Sequence, residues 1–267
     1  MNLDNLLDHV VEIALSTGHF IKNERIDLGT DFIESKGTNN FVTYVDKKAE
    51  EELVDKLGKL LPEAGFIAEE GTSSEKKGAH NWIIDPLDGT TNYIHNVPPY
   101  AVSIGLMKNN EIILGVIYEI FANESFTAHI ETGSKLDGKS IQVSKVPSVA
   151  DALIATGFPY TSFTKINEFF KTMEYFMKNS HGLRRLGSAA TDMAYVACGR
   201  YDAFYEYGLS PWDTAAGSII ISQAGGKVSD FSGGNDFLFG KELISSNEQI
   251  FEELKTIVRN LTGGEHY

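Results

Sequence analysis

Two aspartates three positions apart, Asp85 and Asp88, stand in the segment WIIDPLDGTTNYIHN. The apolar run Trp82, Ile83 and Ile84 predicts a buried strand, with Asp85 emerging where Pro86 stops the ladder. Gly89, Thr90 and Thr91 follow and predict a helix opening over Asn92 to His95. Carboxylates crowded at one turn repel each other unless a cation lies between them. Hard oxygen donors suit magnesium or calcium, and the N–H groups that open a helix suit a phosphate. The segment reads as a place where cations and a phosphate meet.

Two neighbouring chemistries fail on spacing. An EF-hand loop needs alternating Asp or Asn and a glutamate at its twelfth position; Leu87 and Thr91 break that pattern. Phosphatases that pass through an aspartyl-phosphate read D-x-D-G-T, whereas here the carboxylates are three apart and a proline follows the first. Water, rather than an aspartate, is therefore the expected nucleophile. The seven histidines form no H-E-x-x-H cluster, and His95 reads as a wall or surface residue.

Further motifs flank this segment. Upstream lies the acidic pair Glu69 and Glu70 before Gly71; downstream, PWDTAAG spans Pro211 to Gly217. With DPLDGTTN, these motifs resemble the inositol monophosphatase family, in the right order and across nearly the whole chain. The resemblance implies a first magnesium on Glu69, Asp85 and the backbone carbonyl of Leu87. It implies a second on Asp85, Asp88 and Asp213, and a third, looser ion on Glu69 and water. Two to three ions per site are expected. Four carboxylates and a phosphate dianion carry six negative charges, which three divalent ions balance.

The family also implies roles for the groups around the metals. A metal-activated water attacks phosphorus directly, oriented by Thr90, which Asp46 polarises, with Glu69 nearby. Asp46 alternatively reads as a helix N-cap before Lys47. Gly89 and Thr90 would hold phosphate oxygens through their N–H groups, beside Asp88 and Asp213. Lys36 matches a lysine often near the metals, and Asn40 stands where an aspartate is common. In the second half, Gly187, Ser188 and Ala189 resemble a G-[ST]-A turn that meets inositol hydroxyls. Glu206 matches a glutamate that accepts from a polyol hydroxyl. Arg184 and Arg185 read equally as structural, interfacial or substrate-contacting.

The resemblance thus implies a magnesium-dependent phosphate monoester hydrolase with inositol 1-phosphate as expected substrate. Relatives acting on 3'-phosphoadenosine 5'-phosphate read D-G-T-K-E-F where this chain has DGTTNY. Archaeal-type fructose 1,6-bisphosphatases share the scaffold. Lithium sensitivity, a homodimer and an α/β fold, layered α/β/α/β/α, are further expectations.

Those residues need elements to position them. The chain has 267 residues and interleaves strand and helix patterns throughout. A half at 1–138 is expected to supply most metal ligands, and a half at 139–267 to supply Asp213 and the substrate groups. Helices are predicted from Leu3 to Lys22, after Asp46, over INEFFKTMEYFMKN, from SAATDM to Gly199, from about Asp213 to Gly225, and at the C-terminus. A hairpin is predicted around Gly37 to Asn40. The net charge of -14 argues against nucleic acid or anionic membrane as partner. No apolar run approaches a membrane span, and the N-terminal segment carries no secretory pattern. The lone Cys198 excludes an internal disulfide and fits a cytoplasmic location.

Overall fold

The structure, a computed structural model, describes residues 2–25, 33–37, 40–71, 78–159 and 163–263. The polar stretch 72–77 and the side chains of Lys36 and Asn40 lie outside the described residues.

Helix α1 (Leu3–Glu24) starts where the Asn2 side chain accepts from the Asn5 N–H at 3.0 Å. Its buried stripe of Leu3, Leu6, Leu7, Val10, Ala14 and Ile21 has helical spacing. Strands β1 (Ile33–Gly37) and β2 (Asn40–Thr43) form the antiparallel hairpin. Helix α2 (Tyr44–Leu60) begins at Thr43, not at Asp46. Thr43 is the N-cap and Asp46 the third helical residue, and together they close a capping box. That pairing wins over a cap on Asp46 because it satisfies two end groups reciprocally.

Both helices pack on one face of a seven-stranded sheet. Its strands run in the order β3 (Gly65–Ala68), β4 (His80–Asp88), β5 (Ala101–Lys108), β6 (Glu111–Glu119), β7 (Glu124–His129), β8 (Lys135–Leu136) and β9 (Lys139–Ser140). A short helix, α3 (Thr90–His95), joins β4 to β5. Trp82 and Ile84 join the core under α1 and α2, whereas Ile83 faces the opposite side. The sheet is covered on both faces, which is why this strand reads as an unbroken apolar run.

The second sheet has the order β11-β10-β12-β14-β13, from β10 (Leu153–Thr156), β11 (Gly182–Arg184), β12 (Ala203–Tyr207), β13 (Gly226–Ser229) and β14 (Glu242–Asn247). Helices α4 (Ile166–Asn179) and α7 (Phe251–Thr262) cover its outer face, with Phe169, Phe176 and Leu254 packed on Ile154, Tyr205 and Ile244. Helices α5 (Ala189–Ala197) and α6 (Pro211–Gln223) fill the space between the sheets. The order helix, sheet, helix, sheet, helix is the layered sandwich expected. Strand β11 was not expected: three residues, Gly182, Leu183 and Arg184, show no alternation, and parallel pairing with β10 makes them a strand. No described helix is long and apolar enough to cross a membrane.

Helix α6 seats on the first sheet where side chains are missing. Gly105 and Gly115 pair across β5 and β6. A Cβ on Gly105 would come 2.9 Å from the Cβ of Ala215, and one on Gly115 would come 2.6 Å from the Ala216 carbonyl oxygen. The helix is buried on every side from Thr214 to Ile221, as expected of one held between two sheets. Ser103 Oγ donates to the Trp212 carbonyl at 3.1 Å and fixes its N-terminal end.

Candidate active site

Strand alternation would send Asp85 and Asp88, three residues apart, to opposite faces. A bulge prevents this. Asp85 pairs with Ser103 and Asp88 with Ala101, so three steps on β4 match two on β5. Pro86, which has no N–H to give, lies within the bulge. It does not end the strand, which continues to Asp88. The extra residue turns both carboxylates to one side, and Asp213 joins them from α6. Ligand oxygens of Asp85, Asp88 and Asp213 lie within 4.8 Å of one another.

Each carboxylate is held by its surroundings. Asp85 Oδ1 accepts from the Leu87 N–H at 2.9 Å. Asp88 Oδ2 accepts from Ser188 Oγ at 2.6 Å and from the Ala190 N–H at 2.8 Å. Asp213 Oδ2 accepts from the Ser210 N–H at 2.7 Å, as the third residue of a helix with Pro211 in its first turn. Each group thus has one oxygen held by backbone or hydroxyl donors. Glu69 lies at the end of β3 and lines the same cleft, whereas Glu70 is not among the lining residues. The Glu70 N–H is held by Glu50 Oε2 at 2.6 Å, which ties this strand end to α2.

Thr90 follows Gly89, whose φ of 93° lies in the left-handed region. A Cβ on Gly89 would come 3.1 Å from the Pro99 carbonyl oxygen. Thr90 Oγ1 lies 2.9 Å from Asp46 Oδ1 and 3.0 Å from the Leu87 carbonyl. Asp46 is 1% exposed and sits behind Thr90. Its other oxygen accepts from Thr43 N at 2.9 Å and Thr43 Oγ1 at 2.5 Å. Burial raises its pKa, and the threonine hydrogen bonds oppose the rise.

The far wall comes from the second half of the chain. Gly187, Ser188, Ala189, Glu206 and Arg185 all line the cleft, whose volume is about 280 Å³. The Ser188 hydroxyl is taken by Asp88 and Thr191. Asn92 bridges the two halves, donating to the carbonyls of Pro99 and Leu186 at 2.8 Å each. The Arg185 guanidinium lies 5.0 Å from the centre of the Phe158 ring. His95 is exposed and outside the cleft. Sequence reasoning missed Gly157, Phe158 and Asp192, which also line it. Only Asp192 left a signal, an acid inside the apolar helical stretch SAATDMAYVACG. It is 1% exposed, and its Oδ1 has no hydrogen-bond partner among the described residues.

So many buried acids raise one another's pKa. Burial, then Asp213, pushes Glu69 well above the usual range. Burial, then Glu69 and Asp88, does the same to Asp85. Asp88 is raised to about 6 by burial, despite its donors, and Asp213 to about 7 by burial and Asp88. Burial, then Asp192, raises Glu206. A divalent cation held among these carboxyls would offset their mutual repulsion. All-oxygen donors at this spacing fit a hard cation of the magnesium or calcium kind.

Comparison with known proteins identifies a family. The model of the inositol monophosphatase family matches residues 2–262. The protein named Nus factor SuhB in Pseudomonas aeruginosa is 38% identical, over 95% of this chain and 96% of its own. Inositol-1-monophosphatase of Mesorhizobium japonicum is 37% identical, over 95% and 96%. Among solved structures, an IMPase of Thermotoga maritima superposes with a TM-score of 0.87 at 35% identity, over 97% of this chain and 98% of that one.

Proposed function

The chain belongs to the inositol monophosphatase family, and from that footing we propose that it is a magnesium-dependent phosphate monoester hydrolase acting on inositol 1-phosphate. The observation that carries this reading is the convergence of Asp85, Asp88 and Asp213 beside the Thr90–Asp46 pair. Glu69, Asp85, Asp88, Asp213 and the Leu87 carbonyl would hold two to three magnesium ions. When bound, these ions supply Lewis acidity toward the phosphate oxygens and water.

The protein's own groups do the rest. Thr90 has one hydroxyl proton. Donated to Asp46, it leaves the oxygen lone pairs free to accept from water and orient it. The N–H groups of Gly89 and Thr90 hold phosphate oxygens and stabilise charge on the transferring group. The water oxygen joins phosphorus and gives up a proton, the P–O bond to the alcohol breaks, and the alkoxide takes up one proton, so that a single water is consumed overall. Glu206 accepts from a hydroxyl of the alcohol, across the cleft beside the Gly187–Ala189 turn. A homodimer, sensitivity to lithium and a cytoplasmic location belong to the same reading.

The test is phosphate release with magnesium and then with chelator, from inositol 1-phosphate, 3'-phosphoadenosine 5'-phosphate, fructose 1,6-bisphosphate and a nucleoside monophosphate. Magnesium-dependent turnover favouring inositol 1-phosphate is expected. Preference for another compound keeps the hydrolysis and changes the substrate. No turnover on any of them overturns the reading, in favour of a binding or regulatory role; the Pseudomonas relative is named a Nus factor.

A further inference from the structure

Strands β10 and β12 run parallel, with Ala155 opposite Phe204 and Thr156 opposite Tyr205. Continuing that register puts Gly157 opposite Glu206. Residues in register on adjacent strands share a face. Ala155 and Phe204 point into the core between the sheets, so two residues further on Glu206 points the same way, into the cleft. At that point the neighbouring strand offers no side chain. A methyl group on Gly157 would overlap the carboxyl carbon and both oxygens of Glu206.

The backbone gives no other reason for this glycine. Gly157 is absent from the positive-φ residues, so any residue could adopt its conformation. The reason is room. Glu206 is 7% exposed, and its carboxyl folds down onto bare backbone. A flexible side chain on a strand surface has several rotamers; the notch makes room for the one observed, with the carboxyl where a Cβ on Gly157 would be. Tyr205 and Tyr207 on either side point into the outer core and compete for none of this space.

We propose that Gly157 is a specificity-determining position: its missing side chain seats Glu206 and fixes where the acceptor for the leaving alcohol stands. This rests on the reading above that Glu206 meets a hydroxyl of the substrate. Gly157 touches no reacting atom; it is a positioning residue that acts through Glu206. Because the displaced group is the end of a flexible side chain, Gly157→Ala should fold while its carboxylate moves.

The experiment compares inositol 1-phosphate with p-nitrophenyl phosphate, whose leaving group has no hydroxyls beyond the ester oxygen, in the presence of magnesium. The readout is the ratio of the two kcat/KM values. Gly157→Ala should lower this ratio by about tenfold, mainly through KM for inositol 1-phosphate, since a small misplacement of a positioning group is costly. Glu206→Ala should lower it at least as far, and adding Gly157→Ala to Glu206→Ala should change it no further. A ratio within about twofold of the unmodified enzyme for Gly157→Ala, with the ratio lost in Glu206→Ala, overturns the notch and leaves the polyol reading standing. A ratio kept in Glu206→Ala overturns the polyol reading and the notch with it. If Gly157→Ala alone fails to fold, the double variant has no carboxylate to displace. Its recovery then supports the notch, and its failure to recover overturns it.

Discussion

Thr90 Oγ1 lies 2.9 Å from Asp46 Oδ1 although 44 residues separate them. Asp46 reaches this place by ending a capping box at the start of α2. The same carboxyl therefore holds a helix end with one oxygen and a cleft hydroxyl with the other. Structure and chemistry are joined in one side chain.

Removing the hydroxyl separates the two duties. Thr90→Ala should lower kcat by about 10²-fold or more, in the range of a lost proton-handling group. Thr90→Ser should keep most activity, and neither should shift Tm much. Asp46→Ala should lower kcat and Tm together, because it removes both the partner of Thr90 and one side of a capping box worth about 1 kcal/mol. Steady-state kinetics beside a thermal melt checks both; Thr90→Ala at near-normal kcat would remove the residue from the mechanism.

Asp213→Asn takes one negative charge out of a buried acidic cluster but keeps an oxygen to accept from Ser210. In chelator, the variant should melt at or above the temperature of the unmodified protein, since repulsion is relieved. With magnesium it should lose most of the cation-induced rise in Tm and most activity. A variant that stays fully active and still gains stability from magnesium would sink the assignment.

The raised carboxyls make metal-free stability depend on pH. Asp213 titrates at about 7 and Asp88 at about 6 in the fold, against 3.8 for an ordinary aspartate. Between about pH 4 and about pH 7 the folded state binds more protons than the unfolded one, so stability falls as pH rises through that window. Tm in chelator should therefore be higher at about pH 5 than at about pH 8. Magnesium held by these carboxyls would replace those protons, so its stabilisation should grow over the same range. Melts at several pH values, with and without magnesium, decide it; a magnesium effect that is flat with pH contradicts the cluster.

Two glycine-to-alanine changes should have opposite signs. Gly115→Ala drives a methyl into the α6 backbone and should destabilise by about 1–3 kcal/mol, with weaker magnesium binding because Asp213 shifts. Gly58 lies inside α2, where a Cβ would meet only the Phe66 ring at 3.9 Å. Gly58→Ala should stabilise by about 0.5–1 kcal/mol. Urea unfolding of the pair tests whether α6 is seated as described.

Much of this was legible before any fold was known. Asp85, Asp88 and Asp213 carry their chemistry in their residue types, and the motifs around them mark the family. Stacked α and β layers followed from interleaved strands and helices, and their order from the family resemblance. What was hidden depends on register. Pro86 looks like the end of a strand, and only the pairing of β4 with β5 shows that it lies in a bulge. Asp46 reads as a helix cap, and only the structure moves the cap to Thr43, because that choice depends on where the hairpin releases the chain. Gly157 has no chemistry of its own; its meaning comes from a neighbour 49 residues away on the next strand, the separation seen for Thr156 and Tyr205.

The seat of α6 on the paired glycines has a consequence for the order in which the protein assembles. Ser103 and Trp212, which join at that seat, are 109 residues apart, so this contact is among the slow ones to find. A chain growing from its N-terminus exposes Asp85 and Asp88 long before Asp213 exists. Until α6 slots between the sheets, those two acids have neither their third partner nor the Ser188 and Ala190 donors that steady Asp88. On the proposed mechanism, competence for catalysis would arrive as a closing event, late in synthesis, and a fragment ending before residue 213 would lack it.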